Sequence, residues 1–154
     1  MSETISCRWA DAGDFEAVLD LSSQLARQIE EEAPPLTWEA FRATHVGPEA
    51  PMKLLVAEQR GIVVGLAAWT LVHELYSGEA GLYISDLAVD RAFRGQGVGK
   101  ALMEAVKAWA RSQGVRKLGW DVWHANHTAK RFYEAVGASQ SEETHPYKLT
   151  LEEA

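Results

Sequence analysis

The sequence predicts a mixed α/β (α+β) fold for a single domain over residues 1–154. The predicted elements follow the order β-α-α-β-β-β-α-β-α-β, which combines neighbouring strands with helices that can cover them. Two strands in the middle of the chain are joined by a short turn and are therefore expected to form an antiparallel hairpin. No proline occurs between residues 52 and 145, which favours a continuous sheet with packed helices.

Composition and charge exclude several classes of protein. The chain is 47% hydrophobic and carries a net charge of −7, so nucleic acid or an anionic membrane is not expected as its partner. The single cysteine, Cys7, excludes an internal disulfide and indicates a reducing compartment. No apolar run reaches the ~18 residues of a membrane span, and the N-terminus lacks the features of a signal peptide. We therefore expect a cytoplasmic protein.

The N-terminal third is predicted to contain one strand and two helices. The strand covers residues 4–9, and apolar residues at helical spacing place the first helix over residues 15–32. The acidic run at residues 30–32 is either a solvated helix end or a negative rim that attracts an amine. A shorter helix follows over residues 37–44, with Thr37 as its N-cap.

The middle of the chain predicts three consecutive strands. The first two cover residues 53–58 and 62–72, with a turn at residues 59–61 between them. Gly65 interrupts the second strand and predicts a bulge. The third strand, over residues 83–89, is largely apolar, so we expect it to lie centrally and to be buried on both faces of the sheet.

Three alternating glycines follow this third strand. Apolar residues at helical spacing come next, so the glycines lie at the N-terminus of a helix that Gly114 closes. Glycine leaves no Cβ to block a ligand, and free N–H groups at a helix N-terminus bind phosphate. The pattern is not a Walker A loop, which Arg94 and Ala101 exclude, nor a dinucleotide fingerprint, which Lys100 excludes.

The C-terminal part predicts a strand, a helix and a final strand or strand pair. The strand covers residues 117–122, and the last strand or pair covers residues 140–151. The helix between them has Asn126 as its N-cap and Gly137 as its C-cap. Tyr133 falls on its apolar face, where a core tyrosine would also lie.

These two motifs together resemble the GCN5-related N-acetyltransferases, the GNAT family. The pattern of Arg94, Gly97 and Gly99 resembles the family's acyl-CoA diphosphate loop. The string N-x-x-A-x-x-F-Y-x-x-x-G-A, which begins at Asn126, resembles its second signature, and one helix and one strand separate the two, as in the family. Within the family the chain is most similar to small diamine and polyamine acetyltransferases of the spermidine/spermine type.

The resemblance implies direct transfer of an acetyl group from acetyl-CoA to a primary amine of a small molecule. It also implies a GNAT-like, mixed and mostly antiparallel sheet of six to seven strands, with about four helices on both faces, and a homodimer. Backbone N–H groups of the third strand would stabilise the thioester oxygen, and Tyr133 would protonate the leaving thiolate. The residues implied to bind acetyl-CoA are Leu87, Ala88, Val89, Arg94, Gly95, Gln96, Gly97, Val98, Gly99, Lys100 and Asn126.

The base that deprotonates the amine is not fixed by the sequence. An alkyl ammonium has a pKa of ~10.4 and must lose a proton before it can attack. Polyamine enzymes carry a carboxylate where this chain has Ser85, which leaves the base unassigned. Asp86 is the first candidate because it lies in the strand expected at the centre of the sheet, and a purely structural Asp86 is the alternative. Further candidates for the base are Glu79, Glu74 and His73.

Several alternatives stay open beside this interpretation. The acceptor could be a polyamine, a thialysine-like amino acid, an aminoglycoside or a protein amine, and a non-catalytic CoA-binding module or a dinucleotide-binding domain would share the loop. Trp38 and Trp69 are candidates to line an acceptor pocket. No metal is expected, because His124 and His127 lack further ligands nearby. Cys7 has no histidine beside it in the sequence and is not expected to be a nucleophile.

Overall fold

A computed structural model shows a single five-stranded sheet, and it describes residues 4–29 and 36–152. The strands are β1 (Ile5–Trp9), β2 (Lys53–Gln59), β3 (Ile62–His73), β4 (Ala80–Val89) and β5 (Leu118–Gly119). The helices are α1 (Phe15–Gln28), α2 (Trp38–His45), α3 (Val98–Ser112) and α4 (His127–Ala135). The strands lie in the order β1-β2-β3-β4-β5, and only β4 and β5 run parallel.

The chain divides into two compact units, Met1–Trp123 and His124–Ala154. The first contains the sheet with α1, α2 and α3, and the second contains α4 and the residues after it. Within the described residues, no helix combines the length and the apolar character needed to cross a bilayer.

The helices of the first unit cover opposite faces of the sheet. On one face, Val18 of α1 and Phe41 of α2 pack with Leu54, Leu66 and Ala68 in a buried cluster. Adjacent residues of a strand point to opposite faces. The next residue along β3, Trp69, accordingly meets Trp109 of α3 at a ring-centroid distance of 5.3 Å. The prediction of helices on both faces is therefore confirmed for this unit.

Gly65 allows α3 to lie close to the sheet. The pairing of β2 with β3 shifts beside it, because Ala57 pairs with Gly65 and Glu58 with Val63, so the predicted bulge is confirmed. A Cβ added at Gly65 would lie 2.9 Å from Cγ1 of Val98 and 3.1 Å from the backbone oxygen of Ala88. Only a residue without a side chain fits between the strand and the helix.

Replacement of Gly65 by alanine is expected to lower the free energy of unfolding by about 1–3 kcal/mol, because the added methyl group overpacks this contact. Urea unfolding followed by circular dichroism measures the change. Gly119→Ala is the matched control, since an added Cβ there meets no atom within 4 Å. Equal stability of the two variants would contradict the close packing of α3 on β3.

The sheet has fewer strands than predicted. We expected six to seven strands, but the described residues form five. The strand predicted over residues 117–122 is reduced to the two residues of β5, and residues 140–152 form no strand. Alternating apolar residues favour a strand, but a strand also needs a neighbour to pair with, and in this structure residues 140–152 have none.

The position and the burial predicted for β4 were also wrong. The middle of the sheet is β3, and β4 is the fourth of the five strands. Leu82, Ile84 and Ala88 are buried, whereas Tyr83 and Ser85 are exposed. One side of β4 is therefore open over part of its length, although its sequence is almost uniformly apolar.

The remaining helix predictions hold with one change of boundary. Thr37 caps α2 as predicted, and its hydroxyl accepts a hydrogen bond from the N–H of Ala40 at 3.1 Å. The first helix ends at Gln28 and not at residue 32. The acidic run at residues 30–32 lies outside the described residues.

Candidate active site

The glycine loop has the backbone conformation that its sequence predicts. A short 3-10 turn at Arg91–Phe93 follows β4, and the loop then leads into α3. Gly95 and Gly97 have φ values of 76° and 87°, in the left-handed region that favours glycine. A Cβ added at either residue would meet no protein atom within 4 Å. The space that these glycines leave free is therefore open to a ligand.

The N-terminus of α3 offers backbone donors to an anion. Gly97 is its N-cap and supplies no side-chain cap, and the first intrahelical bond runs from the N–H of Ala101 to the oxygen of Gly97. The N–H groups of residues 98–100 precede that bond and have no acceptor within the helix. Arg94, Gln96 and Lys100 are exposed around them. Free N–H groups, the helix dipole and two cationic side chains together suit a diphosphate.

A glutamine of α1 fixes the start of this loop. The amide oxygen of Gln24 accepts a hydrogen bond from the N–H of Arg91 at 2.9 Å, and its amide nitrogen donates to Asp90 at 3.2 Å. The Asp90 carboxylate also accepts from the N–H of Ala92 at 2.9 Å. We did not predict this contact, because nothing in the local sequence around Gln24 distinguishes it from other helix-surface residues.

One edge of β4 is open beside the loop. β5 pairs with β4 only at Leu82 and Tyr83, so residues 85–89 have no strand on that side within the described part of the chain. On the other side, Leu87, Ala88 and Val89 pair with β3. Alternate backbone groups of a strand point toward each edge, so part of the N–H groups of this segment point to the open edge, and their role as oxyanion donors stays a prediction.

A cleft of about 240 Å³ lies between α1, α2 and the sheet. Its lining is mostly apolar and includes Leu25, Phe41, Leu54 and Leu66. The polar side chains in the lining are Ser22, His45 and Asp86. The first sequence candidate for the base therefore lies in a concave site whose other walls suit an alkyl chain.

A β-bulge turns Asp86 into this cleft. Ala68 pairs with Asp86 and Trp69 with Ile84, so Ser85 is the extra residue. Directly opposed residues share a face, so Asp86 lies on the α1/α2 face with Ala68, and Ile84 lies on the α3 face with Trp69. The Ser85 hydroxyl contacts the Asp86 carboxylate at 2.8 Å and donates to it.

His45, in the last turn of α2, lines the same cleft. Its ring stacks on Phe41 at a centroid distance of 6.4 Å. Burial lowers the pKa of His45, and the negative charge of Asp86 acts in the opposite direction. The Nδ1 atom is buried and has no hydrogen-bond partner within the described residues. Sequence reasoning missed this residue, because a single histidine at a helix end carries no motif.

The second signature forms α4 as predicted. The amide oxygen of Asn126 accepts a hydrogen bond from the N–H of Ala129 at 3.1 Å, which confirms the N-cap, and Gly137 ends the helix with φ of 95°. The ring of Tyr133 contacts Phe132 at a centroid distance of 5.4 Å. Burial raises the pKa of the Tyr133 phenol, which therefore stays protonated at neutral pH.

The other candidate bases lie outside the cleft. His73 ends β3, and Glu74 and Glu79 pair through their backbones at the tip of the β3–β4 hairpin, where the Glu74 N–H donates to the Glu79 oxygen at 2.9 Å. The tryptophans proposed for an acceptor pocket do not line the cleft either, since Trp69 faces α3 and Trp38 packs on Phe15.

Cys7 lies in β1 and pairs with Ala57 of β2, and burial raises the pKa of its thiol, which disfavours the reactive thiolate. In the part of the chain that the structure describes, no three side chains of His, Cys, Asp or Glu cluster as metal ligands would.

Comparison with known proteins decides the family. A family model described as Acetyltransferase (GNAT) family matches residues 15–138, which is most of the chain. The chain belongs to the GNAT family. GNAT enzymes use acetyl-CoA as their co-substrate. The free N–H groups at the start of α3 and the signature on α4 both lie within the residues that the family model covers.

Individual GNAT relatives agree with this assignment. Thialysine N-epsilon-acetyltransferase of Bos taurus is 29% identical over 143 residues, which cover 87% of this chain and 84% of that protein. N-acetyltransferase family 8 member 2 of Rattus norvegicus is 37% identical over 82 residues, which cover 53% of this chain and 36% of that protein. The chain thus spans about half or less of the length of several curated relatives that it matches.

Solved structures with a similar fold include an acetyltransferase of Trypanosoma brucei. It matches with a TM-score of 0.72 and 26% identity, and the match covers 95% of this chain and 100% of the Trypanosoma brucei chain. The predicted family and the mixed, mostly antiparallel GNAT fold with four helices are therefore confirmed. The comparisons assign no polyamine acceptor to this chain. The described residues form five strands and not the six to seven that the sequence predicted.

Proposed function

We propose that this GNAT protein transfers an acetyl group directly from acetyl-CoA to a primary amine of a small molecule. The observation that carries the proposal is the uncapped N-terminus of α3 behind two left-handed glycines, which leaves backbone donors and open space for a diphosphate. The family model spans the boundary between the two compact units, which supports treating residues 1–154 as one acetyltransferase domain. A cytoplasmic location and a homodimer stay predictions.

Each predicted residue has a role in this proposal. The N–H groups of Val98, Gly99 and Lys100, with the Arg94 and Lys100 side chains, bind the diphosphate, and Gly95, Gln96 and Gly97 shape the loop. The Asn126 amide contacts the CoA arm. Acetyl-CoA supplies the activated acetyl group.

The chemistry falls to the strand and to α4. Outward N–H groups in the segment Leu87, Ala88 and Val89 stabilise negative charge on the thioester oxygen, and donors of this kind typically contribute ~2.7–4 kcal/mol. Tyr133 protonates the leaving thiolate, because the pKa of a phenol, ~10, is comparable to that of a thiol leaving group. The raised pKa of the Cys7 thiol supports direct transfer without a covalent enzyme intermediate.

A small amine is favoured over a protein amine as the acceptor. The relative from Bos taurus, which the chain matches along most of its length, is named for a small amino acid, thialysine. An assay with acetyl-CoA and a panel of alkyl diamines, polyamines, thialysine, aminoglycosides and lysine peptides, with free thiol as readout, tests the proposal. Turnover confined to the small amines is expected. Tight binding of CoA without transfer to any amine would make the chain a non-catalytic CoA-binding module.

The loop can be tested by changing one glycine at each end of α3. Gly97→Ala places a methyl group where the diphosphate is expected and should weaken CoA binding by at least about tenfold, the equivalent of ~1.4 kcal/mol. Gly114→Ala is the matched control, because Gly114 has φ of 73° and an added Cβ there also meets nothing within 4 Å. Both variants carry a similar left-handed strain.

Isothermal titration with CoA and with pantetheine, which lacks the diphosphate, measures the effect. Gly97→Ala should lose affinity for CoA and keep its affinity for pantetheine, and Gly114→Ala should keep both. A Gly97→Ala variant that binds CoA like the wild type would place the diphosphate elsewhere.

A further inference from the structure

Two titratable side chains line the cleft between α1, α2 and the sheet, and they come from different elements. His45 comes from α2 and Asp86 from β4, and the lining residues of α1, β2 and β3 include no titratable group within the described part of the chain. Among the described residues, one imidazole and one carboxylate are thus the titratable groups that line this site.

We infer that His45 is the base that takes the proton from the acceptor ammonium in this cleft, and that Asp86 binds the ammonium beside it. The inference rests on the proposed acetyl transfer and assigns the group that the sequence left open. The acceptor class that it predicts is a primary amine on a short alkyl chain, because Leu25, Leu54 and Leu66 supply apolar walls.

The first argument is the unsatisfied atom on the ring. Nδ1 of His45 is buried without a partner among the described residues, and an unmet buried polar group costs about 1–3 kcal/mol. An ammonium N–H that donates to Nδ1 would remove that cost, and this contact requires the ring to turn toward the cleft, because Nδ1 is closed to solvent in this structure. Burial also lowers the pKa of His45, so at neutral pH the imidazole is uncharged and its nitrogen can accept a proton.

The second argument separates the roles of the two groups. A free carboxylate has a reference pKa of ~3.9 and an imidazole ~6.5, so the imidazole is the better match to proton transfer near neutral pH. Ser85 donates a hydrogen bond to the Asp86 carboxylate at 2.8 Å, which holds that carboxylate in one orientation. A carboxylate held in this way suits binding of a cation and stabilises the imidazolium that forms.

The protons balance through the reaction. His45 takes one proton from R–NH3+, and the free amine attacks the thioester carbon, so that the N–C bond forms and the C–S bond breaks. The thiolate receives a proton from Tyr133, and the tyrosinate recovers one from the acetylated nitrogen. The imidazolium then releases its proton to solvent, which leaves an amide, a thiol and one proton.

A binding experiment tests the site without requiring turnover. The imidazole nitrogen resonances of the full chain, assigned with His45→Gln, are recorded by NMR during titration with n-butylamine. The His45 resonance should shift saturably in the wild type. In Asp86→Asn the dissociation constant for n-butylamine, obtained from the same shift, should be at least about tenfold higher. A His45 resonance that does not respond to n-butylamine would overturn the inference, even if acetyl transfer occurs.

The kinetic experiment uses an accepted amine and the dependence of kcat/KM on pH. In the wild type, kcat/KM should rise with pH as the imidazole loses its proton, which gives an acid limb. In His45→Gln this limb should be absent, and kcat/KM should fall by about 10²–10⁴-fold. The affinity for CoA should not change. His73→Gln is the matched control and should behave like the wild type.

The outcomes separate this inference from the proposed function. A wild type that transfers to no amine contradicts the proposed function, and the titration with n-butylamine still decides whether His45 and Asp86 form an amine site. Transfer with an unchanged acid limb in His45→Gln sustains the proposed function and rejects His45 as the base.

Discussion

Replacement of Tyr133 by phenylalanine is expected to lower kcat by about 10²–10⁴-fold, the usual contribution of a positioned acid, without a change in the affinity for acetyl-CoA. The substitution removes the hydroxyl and keeps the ring, so the contact with Phe132 at 5.4 Å persists. Burial raises the pKa of the phenol, which keeps the donated proton in place at neutral pH. The release of free thiol gives kcat, and calorimetry gives the dissociation constant of acetyl-CoA.

Tyr147→Phe is the matched control for this prediction. Tyr147 is 96% exposed in the segment after α4, and loss of its hydroxyl should change neither turnover nor binding. Single-turnover measurements are needed alongside, because slow product release would mask a slower chemical step. If the single-turnover rate of Tyr133→Phe equals that of the wild type, Tyr133 is not the acid and is a structural tyrosine of α4.

The parts of the fold that the sequence predicted well are those with a local cause. The turn at residues 59–61, the cap at Thr37 and the glycines at either end of α3 each depend on the conformational preferences of one or two residues. Such preferences act within a few residues, so they can be read without knowledge of the tertiary structure. The glycine loop belongs to this group, so its backbone conformation was predicted, and its role as a diphosphate site stays a prediction.

The cleft could not be predicted because it depends on the alignment of strands. The bulge at Ser85 decides that Asp86 lies on the same face as Ala68, whereas plain alternation from Ile84 would have placed it on the face of α3. His45 enters the site only because α2 packs on that face through Phe41. Cross-strand register and helix packing are long-range properties, and no motif in the sequence records them.

The errors in the sheet have the same origin. Apolar residues at 83–89 predicted a strand buried on both faces, but burial requires a neighbour on each face, and Tyr83 and Ser85 are exposed. Tyr147, Leu149 and Leu151 alternate as in a strand, yet they are more than 80% exposed and lie in a segment without strand pairing. Hydrophobic alternation shows which residues could pair, and the pairing itself depends on the edge available.

Replacement of Trp69 by alanine is expected to lower the free energy of unfolding by about 3–5 kcal/mol, a large share of the 5–15 kcal/mol that stabilises a domain. Trp69 is 0% exposed and contacts Trp9 and Trp109 at ring-centroid distances of 5.7 and 5.3 Å, so truncation leaves a cavity between β3 and α3. Urea unfolding measures the loss. Trp38→Ala is the matched control, because Trp38 is 39% exposed and should cost about 1 kcal/mol.

A second substitution at Trp69 separates packing from polarity. The Nε1 atom of Trp69 is buried and has no acceptor among the described residues, so part of the packing gain is offset by a desolvated N–H group. Trp69→Phe removes that group and keeps an aromatic ring, and it should therefore cost much less than Trp69→Ala. If the phenylalanine variant lost as much stability as the alanine variant, the indole N–H would have an unseen partner, and the account of this core as apolar packing alone would be wrong.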